Sequence, residues 1–310
     1  MSLEMKVEEH FKYSYRAVVK AVAQQTKNPL MDAITVVQAD GEAQSTADLL
    51  GEDPYVKSSP YDVEGPEVRA KDRRRWLVYP DYHIEWGRTL FKVEAFKKMQ
   101  ADPSAMAQRG VNAVNRGIFD AILGVSEVSA GNFKVTGRGI MGKTTEGKTP
   151  NSGVGSLPPS NYVAHNTEGL TLEKLRAATE AAELENFGLE TEDPVYCLIT
   201  PKQKTDLLNI AAATKLNLNQ FDIDQIKTGK PTTLLGITWI FSNRVPKNNS
   251  GERLVPLWTK SNVVAGFWQR LEGVINNTGK RNLPYLLTSA IMDCTRHEDA
   301  GVRVIECKES

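Results

Sequence analysis

Residues 102–124 impose the strongest demand on any fold this chain adopts. Asp102 is a good helix N-cap and Pro103 a good first helical residue. Ala107, Val111, Val114, Ile118, Ala121 and Ile122 then recur at three- and four-residue steps, which lays one apolar stripe along a helix. Gly124 falls just past the end, where a left-handed residue stops a helix without strain. A helix of about 21 residues at 1.5 Å per residue is a rod roughly 30 Å long, and it needs a body of that size to lie on. Gly110 and Gly117 interrupt it, each costing about 1 kcal/mol against alanine. Those two positions predict a neighbour packed close to the helix backbone, or a bend.

The chain can supply such a body. Its 310 residues give a soft prior of two domains, and about three quarters of the unfolded surface can be buried at that size. Lys plus Arg is 38 and Asp plus Glu is 38, so the formal charge is zero. That balance excludes a whole-surface electrostatic grip on nucleic acid or anionic membrane. Three cysteines, Cys197, Cys294 and Cys307, do not describe a disulfide scaffold. The N-terminus lacks the apolar core of a signal peptide, and no apolar run approaches the ~18 residues of a membrane span. The expectation is a soluble mixed α/β protein made in the cytosol.

Further elements follow from pattern. Val7, Phe11, Tyr15, Val18 and Val22 mark a helix over 3–25, stopped by Asn28-Pro29. Residues 38–66 are broken by Gly and Pro and predict an extended arm with little core. In 67–92, Trp76, Val78, Tyr82, Ile84 and Trp86 alternate around Pro80-Asp81, which predicts a β-hairpin with one aromatic face. The glycine-rich stretch 125–169 predicts a loop-like connection between two bodies. Residues 170–260 predict a compact α/β unit. In it Thr171 caps one helix, Val195–Thr200 is a buried strand, and Thr200-Pro201-Lys202-Gln203 is a capping box opening a second helix. Leu234–Ser242 and Leu254–Trp258 are further strands. Ile291–Thr295 and Val302–Cys307 predict a closing hairpin around Ala300-Gly301, with Cys294 opposite Cys307.

Three constellations carry possible chemistry. Gly137-Arg-Gly-Ile-Met-Gly142-Lys143-Thr144 matches the P-loop pattern letter for letter. A phosphate cradle needs a strand before it and a helix starting at the lysine, and the residues after Thr144 are among the least helical in the chain. A nucleotide-binding enzyme is therefore the weaker alternative. Arg69, Lys71, Arg73, Arg74 and Arg75 with Trp76 and Tyr79 could hold nucleic acid by phosphate contacts and stacking, but the acidic residues around them favour ion pairs with another subunit. Cys294, His297 and Cys307 lie near one another, yet 294 and 297 face opposite sides of a strand, against a metal site. No catalytic, cofactor or metal residues are assigned.

The order of parts resembles the major capsid proteins of tailed bacteriophages, with the Hong Kong 97-type fold. The basic run Asp72-Arg73-Arg74-Arg75, the aromatic strand at Tyr82-His83, the helix start Asp102-Pro103 and Arg116 to Asp120 carry one half of the likeness. Leu170-Thr171, Thr200-Pro201-Lys202-Gln203 with Asp206-Leu207-Leu208, Leu235-Gly236-Ile237 and Gly301-Val302-Arg303-Val304-Ile305 carry the other. The resemblance implies an α+β fold of four parts. These are an N-terminal arm (1–55), an extended β-hairpin loop (56–92), a peripheral domain (93–169 and 261–310) with the spine helix 102–124, and an axial domain (170–260). It implies a shell protein with no enzymatic activity and no cofactor. Its partners would be further copies of itself in hexamers and pentamers, a separate scaffolding protein, a portal, and double-stranded DNA held non-specifically on the inner face, with no membrane. The shell would be part of the virion, built in the host cytoplasm. Inter-subunit contacts are expected at Arg73, Arg74, Arg75, Trp76, Tyr82 and Trp86. A cellular nanocompartment shell shares the fold and is the alternative within this class.

Overall fold

The computed structural model describes residues 9–25, 28–47, 57, 74–89, 104–150, 153–164, 166–187, 193–213, 233–234, 236–278 and 283–309. The first half runs α1 (Glu9–Gln25), β1 (Thr35–Gln38), β2 (Ala43–Ala47), β3 (Arg75–Val78), β4 (Ile84–Thr89), α2 (Ser104–Leu123), β5 (Val125–Ser129), β6 (Asn132–Val135), β7 (Thr144–Glu146), β8 (Val154–Gly155) and β9 (Tyr162–Val163). The second half runs α3 (Leu172–Glu183), β10 (Val195–Ile199), α4 (Pro201–Ala213), β11 (Thr233–Leu234), β12 (Ile237–Phe241), β13 (Arg253–Thr259), β14 (Val263–Thr278), β15 (Leu283–Arg296) and β16 (Val302–Cys307).

One sheet has the order β1-β14-β15-β4 and is built on the long antiparallel pair β14–β15. The rod α2 lies on one face of it, as its stripe requires: Ala107, Val111, Val114, Ile118 and Ile122 are all buried. A Cβ at Gly110 would stand 2.5 Å from Thr288 Oγ1 and 2.9 Å from Trp86 Cε3, and one at Gly117 would collide with Ile84. The two glycines are thus where β15 and β4 approach the helix backbone, and close packing offsets their propensity cost. Helix α1 lies beside α2 on the same face, with Tyr15 and Val19 over Gly273. Gly124, at φ +76°, ends α2.

The other face of this sheet carries a small one, ordered β2-β3-β7-β8. Leu77 of β3 packs at Gly266, where a Cβ would stand 2.7 Å from Leu77 Cδ1. A third, six-stranded sheet runs β11-β12-β10-β13-β16-β9. Its alternating residues feed two cores. Leu198, Ile240, Leu254, Trp258, Val302 and Val304 join the core under α2. Cys197, Ile199, Ile237, Val255, Leu257 and Ile305 meet Leu175, Ala178 and Leu207 of α3 and α4. Both helix starts are capped as expected: Thr171 accepts from the Lys174 amide, and Gln203 Oε1 accepts from the Thr200 amide at 3.1 Å.

Several expectations need correction. Strands β3 and β4 form on either side of Pro80-Asp81, but they do not pair as a hairpin. β3 pairs with β2 and β7, and β4 pairs with β15. The buried side of β3 is Arg75 and Leu77, not Trp76 and Val78. The segment 35–47 is not a bare arm: β1 pairs in parallel with β14, β2 pairs with β3, and Ala39 is buried. Residues 48–56 and 58–66 of that stretch, and the Asp102-Pro103 start, lie outside the described residues. Residues 125–163 are not structureless, since they hold β5 to β9 and the buried Ile140 and Met141. The strand expected at 234–242 turns at Gly236, φ +71°, into the β11–β12 pair. β15 and β16 are not a closing hairpin. β15 pairs with β14 and β4, whereas β16 crosses to pair with β13 and β9. Cys294 therefore lies opposite Ala265 and Cys307 opposite Arg253, in different sheets. All three cysteines are free and buried.

Candidate assembly site

The P-loop-like segment is built the wrong way round for phosphate. It folds over the C-terminal end of α2, where the Ile140 amide donates to the Ile122 carbonyl at 2.9 Å and the Met141 amide to Leu123 at 3.2 Å. The Lys143 amide donates to the Gly137 carbonyl at 3.0 Å. These amides are spent inside the chain, and the segment runs on into strand β7 rather than a helix. The carbonyls are what converge. Arg296 Nη1 donates to the oxygens of Gly139, Ile140 and Gly142 at 3.3, 3.2 and 2.6 Å. The loop is a cation cradle, and the chain's own guanidinium fills it.

Arg296 also donates through Nε to Asp299 Oδ1 at 2.6 Å. The Asp299 carboxylate takes Arg75 as well, through Nη1 and Nη2 at 3.2 and 3.0 Å. Both arginines are fully buried. Burial pushes the Asp299 carboxyl up, but the Arg75 hydrogen bonds and the two guanidinium charges outweigh it and hold it below the usual carboxylate range. Near the other end of β3, Asp293 Oδ2 accepts from the Val78 amide at 2.9 Å. Its Oδ1 accepts from Arg138 Nε at 3.1 Å, and Arg138 Nη2 reaches the Val78 carbonyl. Burial dominates at Asp293 and raises its carboxyl despite Arg138. Strand β3 is thus fastened at both ends to the β15 region.

The expected contact residues fall on different sides of this clamp. Arg73 lies outside the described residues. Arg74 is exposed, and its carbonyl accepts from the Gly147 amide. Arg75 is taken up within its own chain. Trp76 is half-buried and donates to the Gly147 carbonyl at 2.9 Å. Trp86 is half-buried and packs on α2 at Gly110. Tyr82 is 55% exposed. Beside it Tyr79 meets His83 and Trp268 edge-on, at 6.2 and 5.6 Å between centroids; of the three only Trp268 was not singled out from the sequence. Among the described residues no group of His, Cys, Asp and Glu could hold a metal ion. Among them, too, no helix is long and apolar enough to cross a membrane.

A family model described as phage capsid protein matches residues 7–309. The chain belongs to the phage capsid protein family. Its fold is similar to the capsid of the native GTA particle, with 13% identity over 92% of this chain and 91% of that one and a TM-score of 0.62. It is similar to the capsid of Ralstonia phage GP4, with 15% identity over 90% and 87% and a TM-score of 0.57. It is also similar to the SrpI encapsulin of Synechococcus elongatus PCC 7942, with 14% identity over 91% and 87% and a TM-score of 0.51. No curated protein sequence matches. The fold is the Hong Kong 97-type capsid fold, and this capsid protein is a self-assembling structural protein of the virion.

Two partly buried ion-pair groups tie distant elements together. Arg244, after β12, reaches Asp120 of α2 with both Nε and Nη2, at 2.6 and 2.5 Å, and stacks over Phe133. At the carboxyl ends of the parallel strands β10 and β12 is a crevice of about 630 Å³. Glu309 fills part of it, accepting from Arg253 Nε and Nη2 at 2.9 and 2.8 Å and from Lys247 at 2.9 Å. Burial raises its carboxyl, but the Arg253 and Lys247 hydrogen bonds win and hold it at about 2. Charges in otherwise apolar strands, such as Asp293 and Arg296 in β15, were the available signal for these ties.

Proposed function

We propose that this capsid protein is the major subunit of an icosahedral shell around the double-stranded DNA of a tailed phage. The observation that carries this reading is the family match across residues 7–309. It also favours the phage shell over a cellular nanocompartment. In this reading copies assemble as hexamers and pentamers in the host cytoplasm, with a scaffolding protein and a portal as further partners. DNA lies on the inner face without sequence preference, and the chain has no enzymatic activity of its own. The parts are an arm (1–55), an extended loop (56–92), a peripheral domain (93–169 and 261–310) and an axial domain (170–260). Contacts between copies fall to Arg73, Arg74 and Tyr82, because Arg75 and Trp76 are committed inside their own chain and Trp86 to α2. A closed shell needs many modest heterologous contacts, and rim charges give them register more than affinity.

Negative-stain electron microscopy tests this, on the purified protein alone and coexpressed with a small helical product of an adjacent gene. Uniform shells or capsomer rings are expected. Monodisperse monomers under both conditions would overturn it.

A further inference from the structure

Where β3 leaves the small sheet, aromatic rings gather at one corner. Tyr79 and Trp268 meet with ring planes at 77° and centroids 5.6 Å apart, and His83 stands at 84° to Tyr79, 6.2 Å away. Tyr79, Tyr82 and His83 are exposed, and Trp268 is half-buried. The rings are held in place. The Trp268 indole N–H donates to the Gly41 carbonyl at 2.6 Å, the Tyr79 hydroxyl is hydrogen-bonded to His83 Nε2 at 3.1 Å, and His83 Nδ1 lies 3.5 Å from Glu85 Oε1. The Tyr79 amide donates to the Glu42 carbonyl at 2.8 Å, which joins the β1–β2 turn to the β3–β4 turn. Those turns and the start of β4 are acidic: Asp40, Glu42, Asp81 and Glu85 are all exposed. Among the described cations nearby, Arg138 is taken by Asp293 and the Val78 carbonyl. Arg74 and Lys148 are exposed at the other end of β3, where the Gly147 amide donates to the Arg74 carbonyl. Extending the β3–β7 register puts the exposed Lys143 across from Val78, so one lysine stands against four carboxylates at this end.

We propose that this corner is a binding site for a quaternary ammonium group, such as that of choline. A cation within about 6 Å of a ring centroid is attracted by the negative face of the ring, most strongly by Trp. A cation set in the angle between Tyr79 and Trp268 reaches that distance from both rings at once, because their centroids are only 5.6 Å apart. The surrounding carboxylates add a field of the right sign. The methyl groups matter because the site is open to water. A lysine ammonium or a sodium ion keeps its hydration there, whereas N-methyl groups shed little water and cover ring surface. The rings and carboxylates all belong to one subunit, so the site is complete whether or not copies assemble.

The test is a titration of the purified full-length protein with choline chloride, followed by saturation transfer to the N-methyl protons. Millimolar binding is expected, with ethanolamine several-fold weaker. Tyr79→Leu and Trp268→Leu each remove one ring and should weaken choline about two- to fivefold. Trp268→Phe keeps a ring and should lose less, which separates the ring from folding. Glu42→Gln/Glu85→Gln should weaken binding and flatten its dependence on salt. Lys148→Gln, at the far end of β3, leaves binding unchanged. No transfer from wild type, equal binding of choline and ethanolamine, or undiminished binding in both leucine variants overturns the inference. Arginine amide bound more tightly than choline overturns it too, because the corner would then be a contact for a protein side chain. Shells are scored separately by microscopy. Wild-type shells without choline binding defeat this inference alone, whereas choline binding by protein that never forms shells defeats the capsid reading alone.

Discussion

Arg296 and Lys143 make opposite predictions that decide what the glycine-rich segment does. If the segment bound nucleotide, Lys143 would be the essential side chain. In the structure Lys143 is exposed, and it is Arg296 that the segment encloses. Arg296→Leu removes the donor to three carbonyls and strips Asp299 of one of its two guanidinium partners. Breaking a buried pair from one side costs about 3–5 kcal/mol, because the other charge is left unpaired. At about 2.1 cal/mol/K per residue, unfolding entropy for 310 residues is roughly 0.65 kcal/mol/K. A loss of about 4 kcal/mol then lowers Tm by about 6 °C. Arg296→Lys keeps the charge but not the branched set of donors, and should fall between. Lys143→Ala should change neither Tm nor shell formation. Scanning calorimetry of the three variants reads this directly. If Lys143→Ala abolishes assembly, or Arg296→Leu melts within a degree of wild type, the cation-cradle reading is wrong.

Other expected outcomes follow from the same contacts. Gly110→Ala gains about 1 kcal/mol of helix propensity but forces Thr288 and Trp86 aside and disturbs the Tyr15–Thr288 hydrogen bond. A net loss of about 1–3 kcal/mol should appear in denaturant melts. The folded pKa of Glu309, about 2, lies below its ordinary 4.5. Its stabilisation is therefore in force above pH 4.5 and drains as pH falls toward 2. Glu309→Gln should remove that part of the acid dependence and lower stability at neutral pH, as read by melts across pH 2–6. The thiols of Cys197 and Cys307 are pushed up by burial, the latter to about 12. Native protein at pH 8 should leave thiol reagents unreacted, and denatured protein should titrate all three cysteines. A fast-reacting native thiol would contradict the packing of β10 and β16.

What the sequence revealed was what local periodicity controls. The stripe of α2, its two glycines, the caps at Thr171 and Thr200 and the strand at 195–199 were all legible, because each depends on residues within a few positions of one another. Pairing was not legible. Trp76 and Val78 look like the buried side of β3 by hydropathy. The chain buries Arg75 and Leu77 instead, because Asp299, more than two hundred residues away, neutralises the guanidinium. The Ala300-Gly301 turn looks like a hairpin, but β16 extends the six-stranded sheet instead. A surface that another copy will cover has no signature in the intramolecular pattern, so neither periodicity nor packing marks the inter-subunit residues.

The strand exchange couples the two large sheets through a single turn. β15 and β16 are separated by five residues yet belong to different sheets, and the turn between them carries Asp299, the residue on which Arg75 and Arg296 converge. A relative shift of the two sheets must pass through that turn. Buried ion pairs resist it in a particular way: they gain little when intact but cost much when half-broken, so they favour one geometry over its near neighbours rather than adding net stability. A shell subunit has to hold one angle between its bodies closely enough for a ring to close. Weakening the turn should therefore damage closure before folding. Asp299→Asn keeps the size of the side chain and removes the charge between the two arginines. It should give protein that folds, by far-UV circular dichroism, and assembles into shells of broadened diameter, by electron microscopy. Shells as uniform as wild type would show that the angle is set elsewhere.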